Sequence, residues 1–117
     1  MRRSVLVVDD HASFRSAARA LLEAEGYDVV GEAADGTSAL AAVQAFHPEI
    51  VLLDIQLPDL DGFEVAERLA VRHAPPAVVF VSSRAESSFR WRLAANPSWR
   101  FIAKSDLSGE ALSAALT

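Results

Sequence analysis

Five short apolar runs recur along the chain, and each is followed by a segment with helical spacing. The runs are SVLVV at 4–8, YDVVGE at 27–32, EIVLLD at 49–54, AVVFVSS at 77–83 and WRFIA at 99–103. Those at 4–8, 49–54 and 77–83 are apolar at nearly every position rather than at alternate ones. A strand of that kind must be covered on both faces, which a parallel sheet flanked by helices achieves. Between the runs, ASFRSAARALLEAE (12–25) places Phe14, Ala18, Leu21 and Leu22 at helical spacing, and TSALAAVQAF (37–46) is alanine-rich. The segment after Gly62 sets Phe63, Ala66 and Ala70 on one face, AESSFRWRLAA (85–95) predicts a fourth helix, and SGEALSAALT (108–117) predicts a fifth. Gly26, Asp35-Gly36, His47-Pro48, Pro75-Pro76 and Asn96-Pro97 separate these elements. The pattern predicts one domain over 1–117. Its fold class is α/β, doubly wound and flavodoxin-like: a five-stranded parallel sheet of order 2-1-3-4-5 with helices on both faces.

In such a sheet the functional site lies outside the carboxyl ends of the strands, near the switch between strands 1 and 3. Here strand 1 ends in Asp9 and Asp10, strand 3 in Asp54, and strand 4 in Ser82 and Ser83; Lys104 follows strand 5. Taken alone, Asp10 reads equally well as a helix N-cap, Ser83 as the close of a strand, and Lys104 as a solvated lysine. Together they bring three carboxylates, a hydroxyl and an ammonium to one rim. Three acids at one place repel one another unless a cation shares the site, and hard oxygen donors of this kind suit Mg²⁺.

Composition narrows the alternatives. The 117 residues contain no cysteine, which excludes disulfides and thiolate metal sites and fits a reducing, cytoplasmic location. No secretory leader is visible, and runs such as IVLL and AVVFV fall far short of the ~20 residues of a membrane span, so a soluble domain without membrane contact is expected. A net charge of −5 argues against direct nucleic-acid binding by this chain.

The ordered set of Asp9-Asp10, Asp54 with Pro58 and Gly62 in DIQLPDLDG, Ser82 and Lys104 resembles the response regulator receiver domains of two-component signalling. The resemblance covers essentially the whole chain. It implies that Asp54 is the phosphoacceptor, taking a phosphoryl group from a phosphohistidine of a sensor histidine kinase or phosphotransfer protein. It implies a Mg²⁺ held by Asp10, by Asp54, by the backbone carbonyl of Gln56, and by Asp9 through water. Lys104 and Ser82 would contact the phosphoryl oxygens, and Phe101 would follow Ser82 as an aromatic switch. The stretches DDHASFR, VVGEAADG and KSDLS are most similar to the receiver halves of regulators carrying a helix-turn-helix DNA-binding domain, which implies a place in transcription regulation.

Two rivals are weaker. An aspartyl-phosphate hydrolase of the haloacid dehalogenase kind shares the sheet and the nucleophilic Asp, but it asks for a second Asp where this chain has Gln56. The chain is therefore not read as an enzyme beyond its own phosphorylation and dephosphorylation. A pseudo-receiver acting only through protein contacts is countered by the intact Asp9, Asp10, Asp54 and Lys104, although NPSWR (96–100) departs from the small pair usual before strand 5. Gln56 and Arg84 would flank the line of water attack, and Ser105 stands where many relatives have proline. His11 is read as a bystander in the first helical turn near the rim of the site, and His47 and His73 as helix-end residues facing away from it. Phe89 and Leu93 share a helix face while Trp91 points the other way, which suggests a homodimer or output-partner contact on the face of helix 4, strand 5 and helix 5.

Overall fold

The computed structural model describes residues 2–117. The elements are β1 (Ser4–Val8), α1 (Ala12–Ala24), β2 (Asp28–Ala33), α2 (Gly36–Phe46), β3 (Ile50–Asp54) and α3 (Gly62–Ala70), followed by β4 (Ala77–Ser82), a 3₁₀ turn (Glu86–Phe89), α4 (Arg90–Leu93), β5 (Arg100–Ala103), a second 3₁₀ turn (Lys104–Asp106) and α5 (Gly109–Ala115). The sheet is parallel throughout and runs β2-β1-β3-β4-β5, the expected order.

Alternation along each strand divides the core in two. Val5, Val7, Ile50, Leu52, Val79 and Val81 face α1 and α5, where Ala18, Leu22 and Leu112 cover them. Leu6, Val8, Val51, Leu53, Val78 and Phe80 face the opposite way, against Val43 of α2 and Phe63, Ala66 and Leu69 of α3. Each fully buried Leu, Ile, Val or Phe contributes about 2 kcal/mol of hydrophobic stabilisation, and every residue of β3 is buried. The strand termini that carry the acids are held by this double packing.

Helix ends follow local chemistry. Gly26, at φ 96°, turns the chain after α1 in a conformation that L side chains resist. Asp35 caps α2 by accepting from the Ser38 amide at 2.7 Å, and Ser108 caps α5 by accepting from the Ala111 amide at 2.9 Å.

The fourth helix departs from its sequence expectation of 85–95. Glu86–Phe89 is a 3₁₀ turn, Phe89 leaves helical geometry at φ −122° and ψ 10°, and α4 holds only Arg90–Leu93. Two adjacent serines weaken the first turn and the Asn96-Pro97 stop closes the last. What a longer helix would have covered is filled by Trp99, 9% exposed, with its ring centroid 5.8 Å from Phe63 and 5.4 Å from Phe80. Phe89, also buried, packs 6.2 Å from Phe63, while Trp91 stands out at 89% exposure, as its spacing predicted. Trp99→Ala is expected to lower unfolding free energy by about 3–5 kcal/mol in urea titration, because the cavity opens between α3 and β4.

Candidate functional site

The site forms where β1, β3 and β4 end. Asp9 is wholly buried, Asp54 is 4% exposed and Ser82 is 1% exposed, three polar side chains inside an otherwise apolar interior. Asp10, one residue further along, points to the rim with its side chain 36% exposed. The turn after β5 delivers Lys104, whose Nζ lies 2.5 Å from Asp9 Oδ2 and 3.7 Å from Asp54 Oδ2. Its ammonium also sits 4.6 Å from the centroid of the Phe14 ring, which closes that side with an apolar, electron-rich face.

Backbone hydrogen bonds fix the acids. The Asp9 amide donates to the Ala33 carbonyl at 3.0 Å, and the Asp9 carbonyl accepts from Arg15 Nη1 at 2.7 Å. Asp54 Oδ1 accepts from the Gln56 amide at 3.3 Å, and the Ile55 amide donates to Val81 on the neighbouring strand at 3.2 Å. Gly62 is obligatory for the loop beyond, since a Cβ there would collide with the Asp54 carbonyl oxygen. Its amide instead reaches the Ile55 carbonyl at 2.8 Å. Ser82 Oγ accepts from the Arg84 amide at 3.0 Å. Phe101 is half-buried on the outer strand, its ring 6.2 Å from Phe89.

Burial first, then the negative charge of Asp9, pushes the Asp54 carboxyl up to about 6, with Lys104 opposing the rise. One ammonium thus faces three carboxylates, and Asp9 Oδ2 has no hydrogen-bond partner among the described residues despite its contact with the lysine. Atoms of Asp9, Asp10, His11 and Asp54 all lie within 4.8 Å of one another, so these side chains can share one cation.

Asp9, Asp10 and Asp54 lie together with Lys104 beside Asp9 and Asp54, and Ser82 ends the strand next to that of Asp54. Asp10 is not the N-cap of α1; His11 occupies that position and makes no side-chain cap. His11 stays at the rim and pairs with the acids, its Nδ1 lying 3.0 Å from Asp9 Oδ1 and 3.1 Å from Asp10 Oδ1. His47 and His73 line a groove at the opposite end of the sheet. Two supports escaped the sequence reading. Asp59 accepts from the amides of Gly36 (2.7 Å) and Thr37 (2.9 Å), tying the loop after β3 to the start of α2, and these bonds hold its carboxyl well below the usual range. Arg92 of α4 pairs with Asp61, the N-cap of α3, at 2.7 Å. Both partners are far away in sequence, and no local signal marks them.

Residues 5–116 match the family model of the response regulator receiver domain. BvgA of Bordetella pertussis, described by its name as a positive transcription regulator of virulence factors, is 36% identical over 98% of this chain and 55% of its own length. The positive alginate biosynthesis regulatory protein of Pseudomonas aeruginosa is 45% identical over 71% of the chain and 34% of its own length. The chain therefore spans about half or less of these curated relatives. Among solved structures, a two-component response regulator of the LuxR family from Aurantimonas superposes with a TM-score of 0.84 at 28% identity, over 97% of this chain and 82% of that one.

The raised Asp54 carboxyl gives a pH-dependent stability with a definite sign. The unfolded carboxyl ionises near 3.8 and the folded one near 6, so the folded state holds its proton longer and loses stability as pH climbs through that window. In metal-free protein, Asp54→Asn is expected to match wild type in stability below the window and to exceed it by up to about 3 kcal/mol above it. Denaturant unfolding in chelator at acid and neutral pH checks this.

Proposed function

Because the chain belongs to the response regulator receiver domain family, we propose that Asp54 accepts a phosphoryl group from a phosphohistidine of a sensor histidine kinase or phosphotransfer protein, and that this acceptance switches a protein-interaction face. The observation that carries the reading is the meeting of Asp54 with two further acids and Lys104 at the strand termini. The residues fit a divalent cation: the donors are hard oxygens, and negative charge exceeds the one ammonium present. Asp10, Asp54 and the Gln56 carbonyl would hold Mg²⁺, with Asp9 acting through water. When bound, Mg²⁺ would neutralise charge on the transferring group.

In the transfer, an Asp54 carboxylate oxygen forms the new bond to phosphorus as the bond from phosphorus to the donor imidazole nitrogen breaks, and the electron pair leaves with that nitrogen. Most of what such a reaction asks of a protein is positioning and electrostatics. Asp54 is presented rigidly because β3 is buried along its whole length. The Lys104 ammonium, now shared between Asp9 and Asp54, would turn to a phosphoryl oxygen. Ser82 would release the Arg84 amide and donate its hydroxyl to another, drawing in the segment that leads to the 3₁₀ turn at Glu86–Phe89. Phe101, packed on Phe89, would move with it. The face of α4, β5 and α5, with exposed Trp91, would then meet an output partner or a second copy. BvgA is named as a transcription regulator, and control of transcription through a separate DNA-binding partner or domain is the proposed output.

Incubation with Mg²⁺ and acetyl phosphate, followed by intact-mass measurement, is expected to show one added phosphoryl group in wild type and none in Asp54→Ala. An unmodified wild type that also refuses phosphoryl groups from phosphorylated histidine kinases would overturn the assignment. Lys104→Ala is expected to retain the fold in circular dichroism yet slow phosphoryl uptake by about a hundredfold, the scale of losing one preorganised charge contact. On the output side, Trp91→Ala is expected to weaken self-association of phosphorylated protein in analytical ultracentrifugation.

A further inference from the structure

We infer that Arg15 is a positioning residue for the acceptor site: it fixes the peptide between Asp9 and Asp10, so that both carboxylates stand ready for the cation, and Glu32 holds it in place. The inference rests on the metal site proposed above. Asp9 follows the last residue of β1, and its amide still finds a partner on β2, donating to the Ala33 carbonyl at 3.0 Å. Its carbonyl has left the ladder. No backbone amide among the described residues donates to it, and it accepts from Arg15 Nη1 at 2.7 Å instead. Asp9 is wholly buried, so without the guanidinium this oxygen would stand unpaired away from water.

An arginine reaching from a helix to a carboxylate on a neighbouring strand is ordinarily a surface pair of little consequence. Glu32, however, is already met by Arg19, whose Nε lies 2.7 Å from Oε2 and whose Nη1 donates to the Val29 carbonyl at 3.1 Å. Arg15 Nε takes the other oxygen of Glu32 at 3.2 Å, and its shorter bond goes to the Asp9 carbonyl. α1 is thus tied to β2 without Arg15, and the contact that Arg15 alone makes is the one to the site. Glu32 is in reach because of strand register: it lies beside Val7, and Val7 faces the side of the sheet that α1 covers.

A carbonyl and the amide that follows it form one plane, so turning the plane between Asp9 and Asp10 swings the side chains on both sides of it. One of those carboxylates meets Lys104 and the other points to the rim, with donor atoms of both within 4.8 Å of one on Asp54. Groups that orient ligating carboxylates from outside the coordination shell contribute about tenfold or more to metal affinity. The rigid fork of a guanidinium serves Asp9 and Glu32 together, which a single ammonium cannot do.

Titration of the ¹⁵N-labelled chain with MgCl₂, followed in ¹H–¹⁵N spectra, tests this. Arg15→Ala is expected to lose about tenfold in Mg²⁺ affinity, while Arg19→Ala, which removes only an exposed ion pair, stays within about twofold of wild type. Before metal is added, the Asp10 amide, part of the same peptide as the Asp9 carbonyl, is expected to shift in Arg15→Ala and to keep its wild-type position in Arg19→Ala. If Arg15→Ala does not fold, Arg15→Lys takes its place, again with Mg²⁺ affinity below wild type. Wild-type affinity in the folded Arg15 variant, or an equal loss in Arg19→Ala, would overturn the inference and leave Arg15 a purely structural residue. A wild type whose Asp9, Asp10 and Asp54 resonances ignore MgCl₂ is a different result: it fails the metal site itself, and the role of Arg15 with it.

Discussion

Two carboxylates, Asp9 and Asp54, end neighbouring strands with almost no access to water, and a single ammonium stands between them. Buried charges of like sign are tolerated only when paired, and removing one partner of such a set leaves an uncompensated charge at a cost of about 3–5 kcal/mol. Lys104 meets Asp9 closely and Asp54 at longer range, so Asp54 remains the less compensated acid, with its carboxyl raised to about 6. A site with this imbalance is poised for added positive charge and for a reaction that changes the charge on Asp54.

The imbalance persists because the backbone around it cannot relax. β1 and β3 are packed on both faces, so neither strand can slide without exposing apolar residues on one side. Gly62 leaves no room for a side chain beside the Asp54 carbonyl, and the Gly62 amide returns to Ile55. Asp59 ties the same loop to α2, and Asp61, held by Arg92, ties it to α4. The loop after Asp54 is thereby linked to two helices on one side of the sheet, and the surroundings of Asp54 are tied to α4 through side chains rather than through the sheet alone.

Most of the architecture was legible because it depends on local composition. Runs apolar at nearly every position required a doubly covered parallel sheet, and its strand order put the ends bearing Asp9, Asp10 and Asp54 side by side, with Lys104 reaching Asp9 and Asp54. Residues whose roles depend on tertiary neighbours were not legible. Asp59 caps a helix 23 positions earlier in sequence, and Arg92 reaches back 31 positions to Asp61. The fourth helix was overextended in the sequence reading because Phe89 and Leu93 have helical spacing, while the space that a longer helix would fill is taken by Trp99. His11 stands near the rim, as read, but its contacts with Asp9 and Asp10 depend on the turn into α1, which no local pattern marks.

The same substitution of Trp99 for helix bears on how a change at the site would travel. Phe63, Phe80, Phe89 and Trp99 form one aromatic cluster, and Phe101 touches it through Phe89. Phe89 ends the 3₁₀ turn, which begins only four residues beyond Ser82, so any displacement of Ser82 would reach it over a short segment. A 3₁₀ turn has poorer hydrogen-bond geometry than an α-helix and yields first under such a pull. Trp99, packed between α3 and β4, is by contrast a fixed wall. Movement of Ser82 would accordingly be taken up by the turn and by Phe101 on the α4 and β5 side, while the aromatic wall keeps the sheet and the three acids in register.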